Sequence, residues 1–156
     1  MMQKTPPVLE LLAALVQFYE YVRAMEVPVE VWGNRPDDQH LTLTEIMCHL
    51  RDVEIEVHQA RFRAILAAEN PFLAGHDTDL WITERTYAEQ DGAAARLAFL
   101  CAREETLTLL AGLAEADWQR TGRHSFLGTT TIHELLAMAV SHEQEHWAQL
   151  RGLLGG

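Results

Sequence analysis

Apolar residues recur along this chain at steps of three and four, in four long runs separated by stretches rich in Pro, Gly, Asn and Asp. Such steps place side chains on one face of a helix with 3.6 residues per turn. Each run opens on a helix-start signal. Thr5-Pro6-Pro7 offers a capping residue and then prolines for the first turn, and the run behind it reaches about Met25. Thr42-Leu43-Thr44-Glu45 is a capping box, and its helix is predicted to run to about Glu69, where Asn70-Pro71 stops it. Asp91 caps a third helix predicted to reach about Ala116. Thr131-Ile132-His133-Glu134 is a second capping box and opens a fourth helix that runs to the closing glycines. Strand alternation is nowhere sustained. The pattern predicts an all-α protein, a four-helix bundle within a single domain of residues 1–156.

The connections 26–41, 70–90 and 117–130 are longer than the ~2–8 residues usual between bundle neighbours. A long second connection can cross the bundle. Helices two and three then run parallel, helices two and four antiparallel, in an up-down-down-up order.

Composition narrows the function. The chain is 48% hydrophobic and 22% charged, with 12 Lys and Arg against 23 Asp and Glu, a net charge of −11. That surface repels a phosphate backbone, so nucleic acid is excluded as the expected partner, and anionic lipid is disfavoured. The stretch MMQKTPPVLELLAALVQFYEYV lacks the uncharged core and cleavage site of a signal peptide, and no run reaches the ~18 apolar residues of a membrane span. A cytoplasmic location is expected. Cys48 and Cys101 fall in helical patterns and read as two buried thiols rather than a disulfide.

The histidines carry the chemistry. His142 and His146, in the segment HEQEH, lie about 40° apart on the face that also holds Ile132, Leu135, Ala139 and Leu153. His49 sits where the apolar side of helix two (Ile46, Leu50, Val53) meets an acidic edge (Glu45, Asp52, Glu56). His133 and His58 each fall nine residues from one of these, about 180° around their helices, and are expected to face away. His40, His76 and His124 lie in predicted loops. Three inward imidazoles without strong partners are costly to bury, and a divalent metal gives each a partner. His49, His142 and His146 are therefore the expected ligands of one divalent transition metal, zinc or nickel.

His-Glu-x-x-His also occurs in zinc proteases, but those need a further ligand downstream. Only WAQLRGLLGG follows His146, without His, Asp, Glu or Cys. The third ligand must come from upstream, and antiparallel packing puts His49 at a matching depth. A di-iron centre needs two Glu-x-x-His pairs, and Glu143–His146 supplies only one.

The segments LTLTEIMCHLRDVEIEVHQARFRAIL, LWITERTY and HSFLGTTTIHELLAMAVSHEQEHWAQLRGLL together resemble the DinB-like superfamily of four-helix-bundle metalloproteins. The likeness implies the same three ligands, His49, His142 and His146, around one zinc or nickel ion, with open positions for water. It implies a homodimer and a small-molecule substrate, in a stress or detoxification role. Some members resemble transferases that use low-molecular-weight thiols, for which Arg51, Arg61, Arg63 and Arg123 are candidate carboxylate partners. A metal-dependent hydrolase, with Asp52, Glu143 or Glu145 as base, and a non-catalytic metal-binding bundle are the alternatives. Asp52 and Glu56 are candidates to orient the ligand histidines.

Overall fold

In the computed structural model, which describes residues 4–155, side-chain caps decide where three of the four rods begin. Helix α1 spans Val8–Ala24. Helix α2, Leu43–Val53, passes through a wider π turn at Glu54–Gln59 into α3, Ala60–Ala67, so that the three form one rod. A short α4, Leu80–Glu84, lies in the long connection, followed by α5, Gly92–Ala111, and α6, Ile132–Leu154. At α2 the Glu45 amide donates to Thr42 Oγ1 (3.1 Å), and Glu45 Oε1 accepts from the Thr42 amide (2.9 Å). The same exchange links Thr131 and Glu134 at α6, and Asp91 accepts from the Ala94 amide at α5.

Two expected boundaries shift. Thr5 does not cap α1, whose first turn follows Pro7 without a side-chain cap. Helix α5 ends at Ala111 rather than near Ala116, because the Ala114 amide donates to Asp117 Oδ2 (2.9 Å) and starts a separate 3₁₀ turn, Glu115–Gln119.

Cross-helix contacts fix the directions. Arg96 donates to the Val22 carbonyl and Arg103 to that of Leu15, so α1 and α5 run antiparallel. Cys48 meets Gln90, and Gln59 reaches the Ala102 carbonyl, so α2–α3 and α5 run parallel. His133 donates to the Pro6 carbonyl and Phe18 packs on Trp147, so α1 and α6 run parallel. The order is up-down-down-up, with residues 70–91 as the crossover.

A small sheet accompanies the all-α bundle that the sequence predicts. Strands β1 (Phe72–Leu73), β2 (Thr121–His124) and β3 (Gly128–Thr131) pair in the order β1-β2-β3, the first pair parallel and the second antiparallel. Its strands are too short for alternation to be visible in the sequence. Gly122 is required there, since a Cβ would lie 2.6 Å from Leu73 Cδ1. His124 is accordingly on a strand, and its Nδ1 accepts the Phe126 and Leu127 amides at the hairpin bend.

The core divides into two apolar layers. One gathers Phe18, Val22, Leu43, Met47, Tyr87, Phe99 and Leu150; the other gathers Leu11, Leu15, Phe62, Ile65, Leu110, Leu135 and Leu136. Between them, at mid-length of the rods, lie His49, Glu54, Gln59, Arg103, Thr106, Glu143 and His146, all buried. Cys48 is buried, but Cys101 is exposed, since α5 turns Ala102, Arg103 and Thr106 inward. Among the described residues no helix is long and apolar enough to cross a membrane.

Candidate metal centre

Antiparallel packing of α2 against α6 brings His49, His142 and His146 together in the polar layer, their candidate ligand atoms all within 4.8 Å of one another. His49 and His146 are buried and His142 is half-buried. The Nε2 atoms face each other, at 3.1 Å for His142–His146 and 3.5 Å for His49–His142. Two nitrogens at ~2.0–2.1 Å from one tetrahedral ion would sit about 3.3 Å apart. The spacing thus fits a shared divalent ion. His146 Nδ1 lies 2.8 Å from Gln149 Oε1, which accepts the Nδ1–H and so leaves Nε2 with a free lone pair. Burial, then the neighbouring His146 and His142 rings, pushes His49 down to about 3; burial foremost also lowers His142 and His146. All three are neutral at pH 7, the form that binds a metal.

The acidic edge of α2 does not orient the ligands. Asp52 accepts from Arg51 Nε (2.8 Å), Arg85 Nη1 (2.9 Å) and the Tyr87 hydroxyl (2.7 Å), while Glu56 pairs with Arg85. Buried His49 Nδ1 has no hydrogen-bond partner among the described residues. The residue that does orient a ligand is Gln149, one turn beyond His146. Its i+3 spacing is the signal in the sequence that points to it.

The expected general bases are also engaged elsewhere or exposed. Glu143 accepts from Arg103, which grips Glu54 through two further hydrogen bonds (2.9 and 3.1 Å). Glu145 is exposed.

His58 overturns its expected placement. Its ring lies 6.3 Å from that of His142, in an edge-on arrangement. The physical reason is the π turn at Glu54–Gln59, which inserts one extra residue and sets everything beyond it back by about 100°. His58 therefore faces the site side of the rod, although it is not part of the three-histidine cluster. His133 does face away, and His40 is held by Asp37 at 2.7 Å.

A cavity of about 180 Å³ opens beside His142 between α3 and α6, with His58, Arg61 and His76 among its walls. Burial lowers His58 to about 4, against the raising effect of Glu54.

These rings make acid a stress on the metal-free fold. Their folded pKa values lie below the ordinary 6.5, so the unfolded chain takes up protons first as pH falls. The rings' contribution is full above pH ~6.5 and falls as pH drops, by about 1.4 kcal/mol per pH unit for His49 and for His58 down to their folded values of about 3 and about 4. Glu143, raised by burial to about 7, works in the opposite sense, one carboxyl against four imidazoles. Urea midpoints measured with chelator should drop between pH 6.5 and 4.5; a flat profile contradicts the assignment.

Fold and cluster together define a four-helix bundle with a mononuclear-type triad of histidines on two antiparallel rods. The chain belongs to the DinB superfamily, which it matches over residues 10–150. It is similar in structure to YfiT from Bacillus subtilis, described as a probable metal-dependent hydrolase with an unusual four-helix bundle topology. The TM-score is 0.82 at 16% identity, covering 98% of this chain and 90% of that one. No curated protein matches the sequence.

Proposed function

We propose that this protein is a metal-dependent enzyme acting on a small molecule, with one zinc or nickel ion on His49, His142 and His146, and that it transfers a thiol to an electrophile. The carrying observation is the convergence of three neutral imidazoles beside a cavity, joined by no fourth His, Cys, Asp or Glu among the described residues. That is the donor set of an open site, since a closed structural site would complete four ligands. A divalent ion there supplies a net +2 charge that lowers the pKa of a thiol or a water brought to it.

The protein residues then divide the work. Gln149 holds the ring of His146 in the ligating tautomer. Apolar side chains of α3 and α6, among them Phe62, Leu135 and Met138, form one side of the cavity wall. Among the described residues no Asp or Glu lines the cavity, and Asp52 and Glu143 are committed to arginines. Without a free carboxylate base, the favoured substrate is the one whose proton leaves most easily. A thiol, near ~8.5, loses it far more readily than water, near ~15.7.

Hydrolysis is the second reading, and the likeness in fold to a probable metal-dependent hydrolase favours it. The deciding experiment gives metal-loaded protein a panel of low-molecular-weight thiols with a reactive electrophile, beside a panel of esters and amides. Metal-dependent thiol consumption supports transfer. Turnover without thiol supports hydrolysis, and silence on both panels leaves a metal-binding bundle.

A further inference from the structure

Of the arginines proposed from sequence as carboxylate partners, the structure singles out one. Arg51 is tied to Asp52 and Gln90, Arg63 reaches Gln59 and Glu105, and Arg123 donates to the Asn70 carbonyl. Arg61 alone among these four lines the cavity beside His142. Its guanidinium is half-buried and donates to one backbone carbonyl, that of Ala74, at 3.2 Å. Among the described residues no carboxylate forms an ion pair with it. In a chain of net charge −11, a half-buried cation without an anion is conspicuous. Its field is felt locally: after burial, the charge of Arg61 contributes to lowering His124.

The rest of the wall mixes His58, His76 and Thr78 with an apolar side. Val53, Val57 and Phe62 face Leu135 and Met138 across the opening, and His142 stands at one side. A volume of about 180 Å³ is less than the ~300–1,000 Å³ of drug-sized sites and equals roughly six waters at ~30 Å³ each.

We infer that this cavity takes a small acid, its carboxylate on Arg61 and its apolar body against Val57, Phe62, Leu135 and Met138, which brings the molecule alongside His142. The inference rests on reading the histidine cluster as the reaction centre, and it adds the class of substrate. A guanidinium presents a planar fork of donors that matches a carboxylate. Arg61 is the one Arg or Lys among the lining residues, and a single guanidinium matches a monoanion in charge better than a dianionic phosphate. The rest of the acidic surface repels anions, so recognition has to be local.

The test uses hexanoate, hexanamide and hexyl phosphate as probes, with binding followed by ligand-observed NMR on metal-loaded and metal-stripped protein. Hexanoate should bind wild type at least ~10-fold tighter than hexanamide in both forms, since a charge-assisted pair contributes about 1.5–3 kcal/mol. Arg61→Gln should abolish that preference, Arg61→Lys should keep part of it, and Arg123→Gln should leave it whole. Metal content should be equal in all variants, which separates this inference from the metal assignment. Equal binding of acid and amide to wild type overturns it, as does tighter binding of the phosphate or no binding at all. Preference that survives Arg61→Gln but vanishes on metal removal also overturns it, because the ion would then hold the acid.

Discussion

Replacing His49, His142 or His146 by Ala, one at a time, is expected to remove most of the bound divalent metal, while His133→Ala leaves it unchanged. The His49–His142 and His142–His146 Nε2 spacings, 3.5 and 3.1 Å, fit one shared ion, so each deletion takes away a third of the protein ligands. Losses well beyond 100-fold in affinity are expected, since even a residue that only orients a ligand accounts for ~10–100-fold. Gln149→Leu should fall in that smaller range, because it frees the His146 ring without removing it. His58→Ala is the demanding control: its ring is near that of His142, yet it stands outside the cluster, so metal content should hold. Affinity in wild type should decline below pH 6.5 rather than at it, because burial holds the three rings neutral to lower pH. Elemental analysis and competition titration on tag-free protein measure this. Full metal in His49→Ala, or none in His58→Ala, means the site is built from other rings.

Much of this architecture is legible from local chemistry. Capping boxes at Thr42–Glu45 and Thr131–Glu134 are short-range devices, and they start α2 and α6 where the sequence places them. Helical periodicity likewise puts His142 and His146 on the same face as Leu135 and Ala139, and all but half-buried His142 are buried. Matching depth along antiparallel rods pairs His49 with His142 and His146. The sheet escapes notice because its strands are two to four residues long and β1 takes its partner about fifty residues away, as Leu73 does with His124.

The error at His58 is more instructive. A uniform 100° per residue assumes an unbroken α-helix, and the rod breaks that assumption at Glu54–Gln59. A trace of this is present in the apolar stripe itself. Buried Ile46, Leu50, Val53 and Val57 follow steps of four and three, but the next buried apolar residue is Phe62, five on. A five-residue step is the mark of one inserted residue. The inserted turn does two things at once. It directs Glu54 and Gln59 toward α5, where they meet Arg103, Ala102 and Thr106, and it swings His58 and Arg61 toward the cavity.

Arg103→Met should destabilise the protein more than any substitution on its surface, by about 3–5 kcal/mol, which for a chain of this length lowers Tm by about 6–20 °C. Arg103, Glu54 and Glu143 are each at most 3% exposed, and the guanidinium is the partner of both carboxylates. Its removal leaves two buried acids without a cation. Both would then be driven toward their neutral forms, so the damage depends on pH. Burial already raises Glu143 to about 7 from an ordinary 4.5, with Arg103 opposing the rise. A raised acid contributes stability that is complete below the unfolded pKa and lost as pH climbs through the folded one. Without Arg103 that folded value moves higher still, and the penalty should be larger at pH 8 than at pH 6. Replacing all three together, Glu54→Leu with Arg103→Met and Glu143→Leu, should recover most of the loss, because apolar residues of similar volume need no partners. Urea denaturation of the single and triple variants at both pH values gives the answer. An Arg103→Met protein within 1 kcal/mol of wild type at pH 8 would show that the two carboxylates find water or another donor, and that the layer around the histidines is looser than the buried ion triad implies.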